Sequence, residues 1–595
     1  MKIKNILFVI LILTIGTSFL IGFFFWYRKH QIKLMNSAYD IITHELISKM
    51  DDEKLVQQLF MAYIPLDNKE VIKDLHPGAV FVHTENIPFD DDNEEDIEKL
   101  KRNIHSTIQE YVNNDHIPPI FAIDQEGGFV RRLKKGVTAY PSFMAVREAG
   151  AIDENAEKIS MISAFHTCRQ LKEIGIYWNL SPVVDTLFNT ENSVIGTRSF
   201  SNDPQINAKY IESYLDGIEV ARCLSSLKHF PGHGSTGIDS HIDLPVVNKS
   251  IAEIEKTDLY PFLKLIKEKP EFIPSIMTSH ILFENEAKEP VSLSSYWIND
   301  YLKNKLKYDG IVITDDLLMG AVQKYLKKNS SLENSAFKAV KAGNDMILLF
   351  SKDTRKTIEY IQAVKKGLEE KTLDREKIII SAKKIIKNKL KTGMLDKYLQ
   401  LALKEKYPWA VNNEDAVTLI LQHSISQERY IWQIENQLTN PDRLNEKISK
   451  NAVKLLKGSD SSFFNALHSF AVYTDIQENN PLFENIKNVT TNINPLKKIS
   501  QINDNKSVVI LHTSSRKFPQ NIKKWLMKKD RSSVIIFTCS DPFPYSSLGE
   551  ALTKDDILIT AFSNTIASQK SLVDYYINAE LPKKAVINYS KEKSE

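Results

Sequence analysis

The chain alternates two hydrophobic patterns over most of its length. Short apolar runs of strand length recur: GAVFVHT from Gly78, PIFAIDQE from Pro119, YWNLSPVVD from Tyr177 and CLSSLKHF from Cys223. IPSIMTSH from Ile273, GIVITDDL from Gly310 and NDMILLF from Asn344 continue the series. Between them lie stretches with apolar residues at helical spacing, such as INAKYIESYLDGIEVA and LENSAFKAVKAG. Strands alternating with helices predict an α/β fold with a parallel sheet. Seven such units within residues 78–350 favour a (β/α) TIM-like barrel over an open doubly wound sheet.

The flanks read differently. HELISKMDDEKLVQQLFM, from His44, has the spacing of one amphipathic helix. The acidic stretch DDDNEED from Asp90 reads as a solvated loop feeding the positive end of the next helix. A lysine-rich helix, REKIIISAKKIIKNKL, leads out of the barrel. Beyond it FAVYTD, SVVILHT, SVIIFTC, DILITAF and KAVINYS recur with intervening helices, predicting a second, smaller α/β domain without a comparable cluster of titratable strand-end residues. At the other end, Ile6 to Tyr27 is uncharged and closes on Phe-Phe-Phe-Trp-Tyr, the length and interfacial ending of a single uncleaved transmembrane helix. The expected division is an anchor over 1–33, a catalytic barrel over 34–400 and a C-terminal α/β domain over 401–595. The catalytic body is expected on the exported face, periplasmic or extracellular.

Composition narrows the class of protein. With 595 residues, 42% hydrophobic and 26% charged, the chain is a multidomain globular protein. A net charge of +2 lacks the basic excess of a nucleic-acid binder. Cys168, Cys223 and Cys539 lie too far apart for a disulfide framework or a metal spacing, and they read as small apolar residues. No cofactor is expected.

Candidate chemistry sits where the apolar runs end: Asp124, Asp185, Lys228, His229, His280 and Asp315. In parallel barrels those ends carry the active site. The densest segment is KHFPGHGSTGIDSH, from Lys228 to His241, whose glycines are read as giving a loop freedom to move. Within it Asp239 can fix the tautomer of His241 and make an acid/base of it. Asp315 ends its strand and can act as a nucleophile, whereas Asp316 suits the cap of the following helix. Asp124 can hold hydroxyl groups, with Arg132 reaching back over the site and Arg198 in GTRSF as a further candidate. A zinc pair at His229 and His233 would need a helix, which Pro231 and the glycines forbid, so no metal is expected.

KHFPGHG followed by DSH, with IDQEGG upstream and ITDDL downstream, resembles glycoside hydrolase family 3, in its β-N-acetylhexosaminidase branch. The resemblance spans Leu46 to Met394, and a weaker one to the family's second, α/β sandwich domain begins near Asn451. It implies a retaining exo-β-N-acetylglucosaminidase acting on peptidoglycan-derived sugars or muropeptides. Asp315 would be the nucleophile, His241 paired with Asp239 the acid/base, and Asp124, Arg132, Arg198, Lys228 and His229 the contacts to the N-acetylglucosamine unit. Phe129 departs from the pattern, at a position where basic residues are common. A β-glucosidase, a glycoside phosphorylase and an inactive wall-sugar binder are the alternative readings.

Overall fold

All seven apolar runs become buried strands. In the computed structural model, residues 30–150, 156–189, 194–328, 334–404 and 411–457 are described, with 192. Of the C-terminal part, 471–477, 480–490, 493–496, 508–513, 534–539, 556–561 and 565–578 are described, together with 522, 525–527, 563 and 582. The run Ile6 to Tyr27 and the KAVINYS segment lie outside the described residues. Among the described residues no helix is long and apolar enough to cross a membrane.

One parallel sheet has the strand order Ile347–Leu349, Phe60–Ala62, Ala79–Val82, Ile120–Ile123, Trp178–Asn179, Leu224–Ser225. A second parallel sheet runs Ile311–Thr314, Ser275–Thr278, Leu227–Phe230. Single parallel bridges join the two at both edges, Val183 with Lys228 and Ile313 with Met346. Strands apolar on both sides need cover on both. Helices such as Pro204–Val220, Thr354–Glu369 and Arg375–Lys391 supply it, each opened by an aspartate (Asp203, Asp353, Asp374) whose carboxylate accepts from the first turn's N–H groups.

The stretch read as one helix from His44 is interrupted. Asp51 accepts from Lys54 N at 2.8 Å and starts a new helix, Asp52–Gln58. The following Phe60–Ala62 is an additional strand, fully buried and paired on both sides. An all-apolar run this short carries no period to distinguish strand from helix. The acidic stretch is only partly solvated: Asp96 caps Ile97–Asn113, while buried Glu95 accepts from Lys134 N and Lys135 N.

After the helices Glu414–Glu435 and Pro441–Ala452 comes a third sheet. Its order is Lys454–Lys457, Ile557–Thr560, Val534–Thr538, Val508–His512, Ala471–Thr474, Ile493–Pro495, antiparallel only at the first pair. The Pro441–Ala452 helix packs on both Phe143–Gly150 and Ile566–Ile577, tying this part to the rest. Cys168, Cys223 and Cys539 are free and buried.

Candidate active site

Asp124 follows the Ile120–Ile123 strand, and each of its oxygens meets one cation. Oδ1 lies 2.9 Å from Lys228 Nζ and Oδ2 2.9 Å from Arg132 Nη2. Arg132 is aimed by Gln125, whose Oε1 accepts from the N–H groups of Arg132 and Leu133 at 3.0 and 3.1 Å. Two residues along, Glu126 grips Arg198 with both oxygens, at 2.8 Å to Nε and 2.8 Å to Nη2. Its Oε1 also lies 2.7 Å from Lys228 Nζ. Four of the expected residues, Asp124, Arg132, Arg198 and Lys228, thus form one charged array, and Glu126 joins it together. Glu126 escaped the sequence reading, although in extended backbone residues i and i+2 share a face.

Burial pushes both carboxyls up, but the cations outweigh it. Lys228 and Arg132 hold Asp124 well below the usual carboxylate range, and Arg198 and Lys228 bring Glu126 down to about 2. In return, against burial, Asp124 and Glu126 raise the ammonium of Lys228, and Glu126 raises the guanidinium of Arg198. The array stays ionised across the neutral range and balances two carboxylates against three cations.

His229 is oriented by Asp185, a second residue of the site that the sequence showed only as the end of an apolar run. Asp185 Oδ2 lies 2.7 Å from His229 Nδ1, and Oδ1 accepts from the N–H groups of His229 and His233 at 3.1 and 2.7 Å. His233 is turned the other way, onto Thr236 Oγ1 at 2.7 Å and Ser240 Oγ at 3.2 Å. Among the described residues no group of three or more His, Cys, Asp or Glu side chains is placed to hold a metal ion.

The loop to His241 divides into a fixed half and an exposed half. Gly232 and Gly234 are tight packing points, contrary to the reading that glycine makes the loop mobile. A Cβ on Gly232 would stand 2.6 Å from that of Asp258, and one on Gly234 would overlap Thr186 O at 1.6 Å. Asn192 Nδ2 on His233 O, at 2.8 Å, closes this half. Farther on, Asp239 Oδ1 lies 2.8 Å from His241 Nδ1 and accepts His241 N at 2.9 Å, with the imidazole 67% exposed. The backbone of this outer half rests on the start of the Gly320–Lys328 helix: Gly320 N and Ala321 N donate to His241 O and Ser240 O at 3.3 and 3.1 Å.

That helix starts four residues after Asp316. Asp315, at the end of the Ile311–Thr314 strand, accepts Asp316 N at 2.8 Å. Burial works to raise its pKa, but the imidazoles of His229, His280 and His241 and the Asp316 N–H keep it below the ordinary value. Asp316 goes the opposite way: burial lifts it to about 6, although it accepts from Phe350 N and Leu318 N at 3.1 Å each. Adjacent carboxyls with pKa values pushed apart have different uses. Asp315 is the more readily ionised of the two and can attack an electrophilic carbon; Asp316 ties the Leu318 turn to the neighbouring strand end. An imidazole fixed by a carboxylate can move a proton, and the charged array offers donors and acceptors at fixed spacing to a polyhydroxylated ring.

The chain is similar to known proteins in both sequence and fold. A β-hexosaminidase from Psychromonas ingrahamii is 34% identical over 253 residues, covering 42% of this chain and 71% of that protein. One from Nitrosomonas eutropha is 32% identical over 236 residues, covering 39% of this chain and 65% of its own length. The chain therefore spans just under two thirds of that relative. The solved glycoside hydrolase family 3 β-N-acetylglucosaminidase from Paenibacillus has the same fold, with a TM-score of 0.69 at 23% identity over 91% of this chain and 98% of that one. A β-glucoside phosphorylase overlays at 0.70 with 18% identity, covering 93% of this chain and 97% of that one. Residues 50–388, more than half of the chain, match the model of the glycosyl hydrolase family 3 N-terminal domain, and the chain belongs to that family.

Proposed function

We propose that the chain is a retaining exo-β-N-acetylglucosaminidase that releases terminal N-acetylglucosamine from peptidoglycan fragments. The observation that carries this reading is the placement of the Asp239–His241 pair on a loop resting against the helix that begins beside ionised Asp315. The edge bridges support closure of the two parallel sheets into one (β/α) barrel, with the site residues on its strands and on the loops that follow them. Residues 34–400 form its catalytic unit and 401–595 the second domain.

In the first step an oxygen of Asp315 bonds to the anomeric carbon as the glycosidic bond breaks, and His241 protonates the departing oxygen. Nδ1 of His241 faces Asp239, so the proton travels on Nε2. In the second step His241 takes a proton from water, whose oxygen displaces Asp315 from the anomeric carbon. Most retaining glycosidases use two carboxyls about 5–5.5 Å apart. Here an imidazole, protonated on both nitrogens as the acid and neutral once it has given up the Nε2 proton, replaces the second carboxyl and places no further negative charge beside Asp315. Its exposure in this structure supports a loop whose outer half closes over bound sugar. Asp124, Arg132, Arg198, Lys228 and His229 grip the ring, with Glu126 and Asp185 positioning them.

Turnover of an aryl N-acetyl-β-glucosaminide, compared with the aryl glucoside and with and without phosphate, tests the reading. Dominant glucoside cleavage, or a sugar phosphate as product, overturns it, and undiminished activity in Asp315→Ala removes the nucleophile assignment. The apolar run Ile6 to Tyr27 supports attachment to a membrane with the catalytic body on the exported face; recovery of the full chain in the soluble fraction would refute that.

A further inference from the structure

The second domain carries strand-end chemistry that its sequence does not disclose. In its sheet, the chain leaves Ala471–Thr474 for one neighbour, Ile493–Pro495, then returns to the other side at Val508–His512 and continues outward. The order therefore reverses between Ala471–Thr474 and Val508–His512. In open parallel sheets the crevice outside the carboxyl ends at such a reversal is where ligands bind. Asp475 and Thr513, the residues that immediately follow those two strands, meet at this point beside His512. Asp475 Oδ1 accepts from Thr513 N at 2.8 Å and lies 3.2 Å from Thr513 Oγ1, while Oδ2 stands 3.6 Å from His512 Nε2.

A cavity of about 490 Å³ opens here, lined among others by Asp475, Gln477, Asn494, Phe483 and Ile476. That volume lies within the range of small-molecule sites, about 300–1,000 Å³. We propose that this crevice is a second binding site, distinct from the barrel site, for a small neutral saccharide. Its chemistry selects that class. One carboxylate, held in orientation by the neighbouring strand's loop, accepts hydroxyl protons; the side-chain amides of Gln477 and Asn494 both donate and accept; Phe483 and Ile476 meet the C–H face of a ring. None of the described residues lining it is Lys or Arg, so a phosphorylated ligand finds no counter-charge beside Asp475. Burial lowers the pKa of the His512 imidazole against the opposing pull of Asp475.

The test uses the full chain carrying Lys228→Ala, which disables the barrel's grip on sugar, and reads saturation transfer to N-acetylglucosamine and its β-linked disaccharide by NMR. Signal should persist in Lys228→Ala and fall at least fivefold when Asp475→Asn is added. Asp475→Asn alone should leave aryl glycoside turnover unchanged. Asn494→Trp, which fills the cavity from its rim, should have the same effect as Asp475→Asn and guards against a merely structural loss at Asp475. Signal lost with Lys228→Ala alone, or untouched by both second-domain substitutions in a protein of unchanged melting temperature, overturns the proposal. Displacement of the sugar by inorganic phosphate, or preference for glucosamine over N-acetylglucosamine, overturns the neutral class. The binding outcomes are read without turnover, so they can fail or hold independently of the activity assigned to the barrel.

Discussion

Replacing Glu126 by glutamine removes one negative charge from the centre of the site at nearly constant shape. The carboxylate is 2% exposed and makes three contacts of 2.7–2.8 Å to two cations, Arg198 and Lys228. Breaking a buried ion pair from one side costs about 3–5 kcal/mol, because the charge left behind is uncompensated. The glutamine carbonyl still accepts one bond, which favours the lower end, about 3 kcal/mol. If the fold absorbs that loss, the melting temperature of a unit the size of residues 34–400 falls by roughly 4 °C. If the site absorbs it instead, through Arg198 and Lys228 leaving their positions, kcat/KM on an aryl N-acetylglucosaminide falls about 100-fold. Calorimetry and steady-state kinetics on one preparation measure both shares.

The pH dependence provides an internal check. The folded pKa of Glu126, about 2, lies below the ordinary glutamate value of about 4.3. Its contribution to stability is therefore complete above the ordinary value and is lost as pH falls through the folded one. The difference between the wild type and Glu126→Gln should shrink between about pH 4 and pH 2. A variant with wild-type melting temperature and wild-type kcat/KM would refute the claim that Glu126 holds the array together.

Four other substitutions separate parts of the account. Asp315→Asn should reduce kcat by several orders of magnitude, while Asp316→Asn keeps the acceptor for Phe350 N and Leu318 N, removes a charge that burial opposes, and should retain most activity; the reverse ranking would exchange their roles. His241→Ala should lower kcat/KM about 10²–10⁴-fold on substrates with poor leaving groups and far less on activated aryl glycosides, and an equal loss on both would indicate no proton transfer. Lys389, fully buried on Gln58 Oε1 and Pro118 O, has its ammonium pushed down to about 7 by burial. The unfolded chain binds the extra proton between that value and the ordinary lysine pKa, so stability rises with pH through this window, by at most about 1.4 kcal/mol per pH unit. Lys389→Met should flatten the rise, and parallel curves for the two proteins would contradict it.

Much of this site was readable because apolar runs end abruptly in charge: Asp124, Lys228, His229 and Asp315 all stand at such ends, and the strands carry them to one place. Residues whose purpose is to hold others were harder to see. Glu126 lies inside IDQEGG without a pattern of its own, and its importance comes from Arg198 and Lys228, each brought close only by the fold. Asp185 ended an apolar run, yet nothing in the sequence paired it with His229. Phe60–Ala62 was hidden because an all-apolar run has the same appearance in a strand and in a helix. Gly232 and Gly234 looked like sources of motion, but close contact with Asp258 and Thr186 requires them. In the second domain, the meeting of Asp475 and His512 depends on strand order, which local pattern does not encode.

The central claim, retaining release of β-linked N-acetylglucosamine through Asp315, is tested most directly by proton NMR of the first product formed from a defined N-acetylglucosaminyl-β-muropeptide disaccharide. Free N-acetylglucosamine appearing first as the β-anomer, and absent with Asp315→Ala, is the predicted result. An initial α-anomer, or no release from the disaccharide by an enzyme that cleaves aryl glucosides, would contradict it.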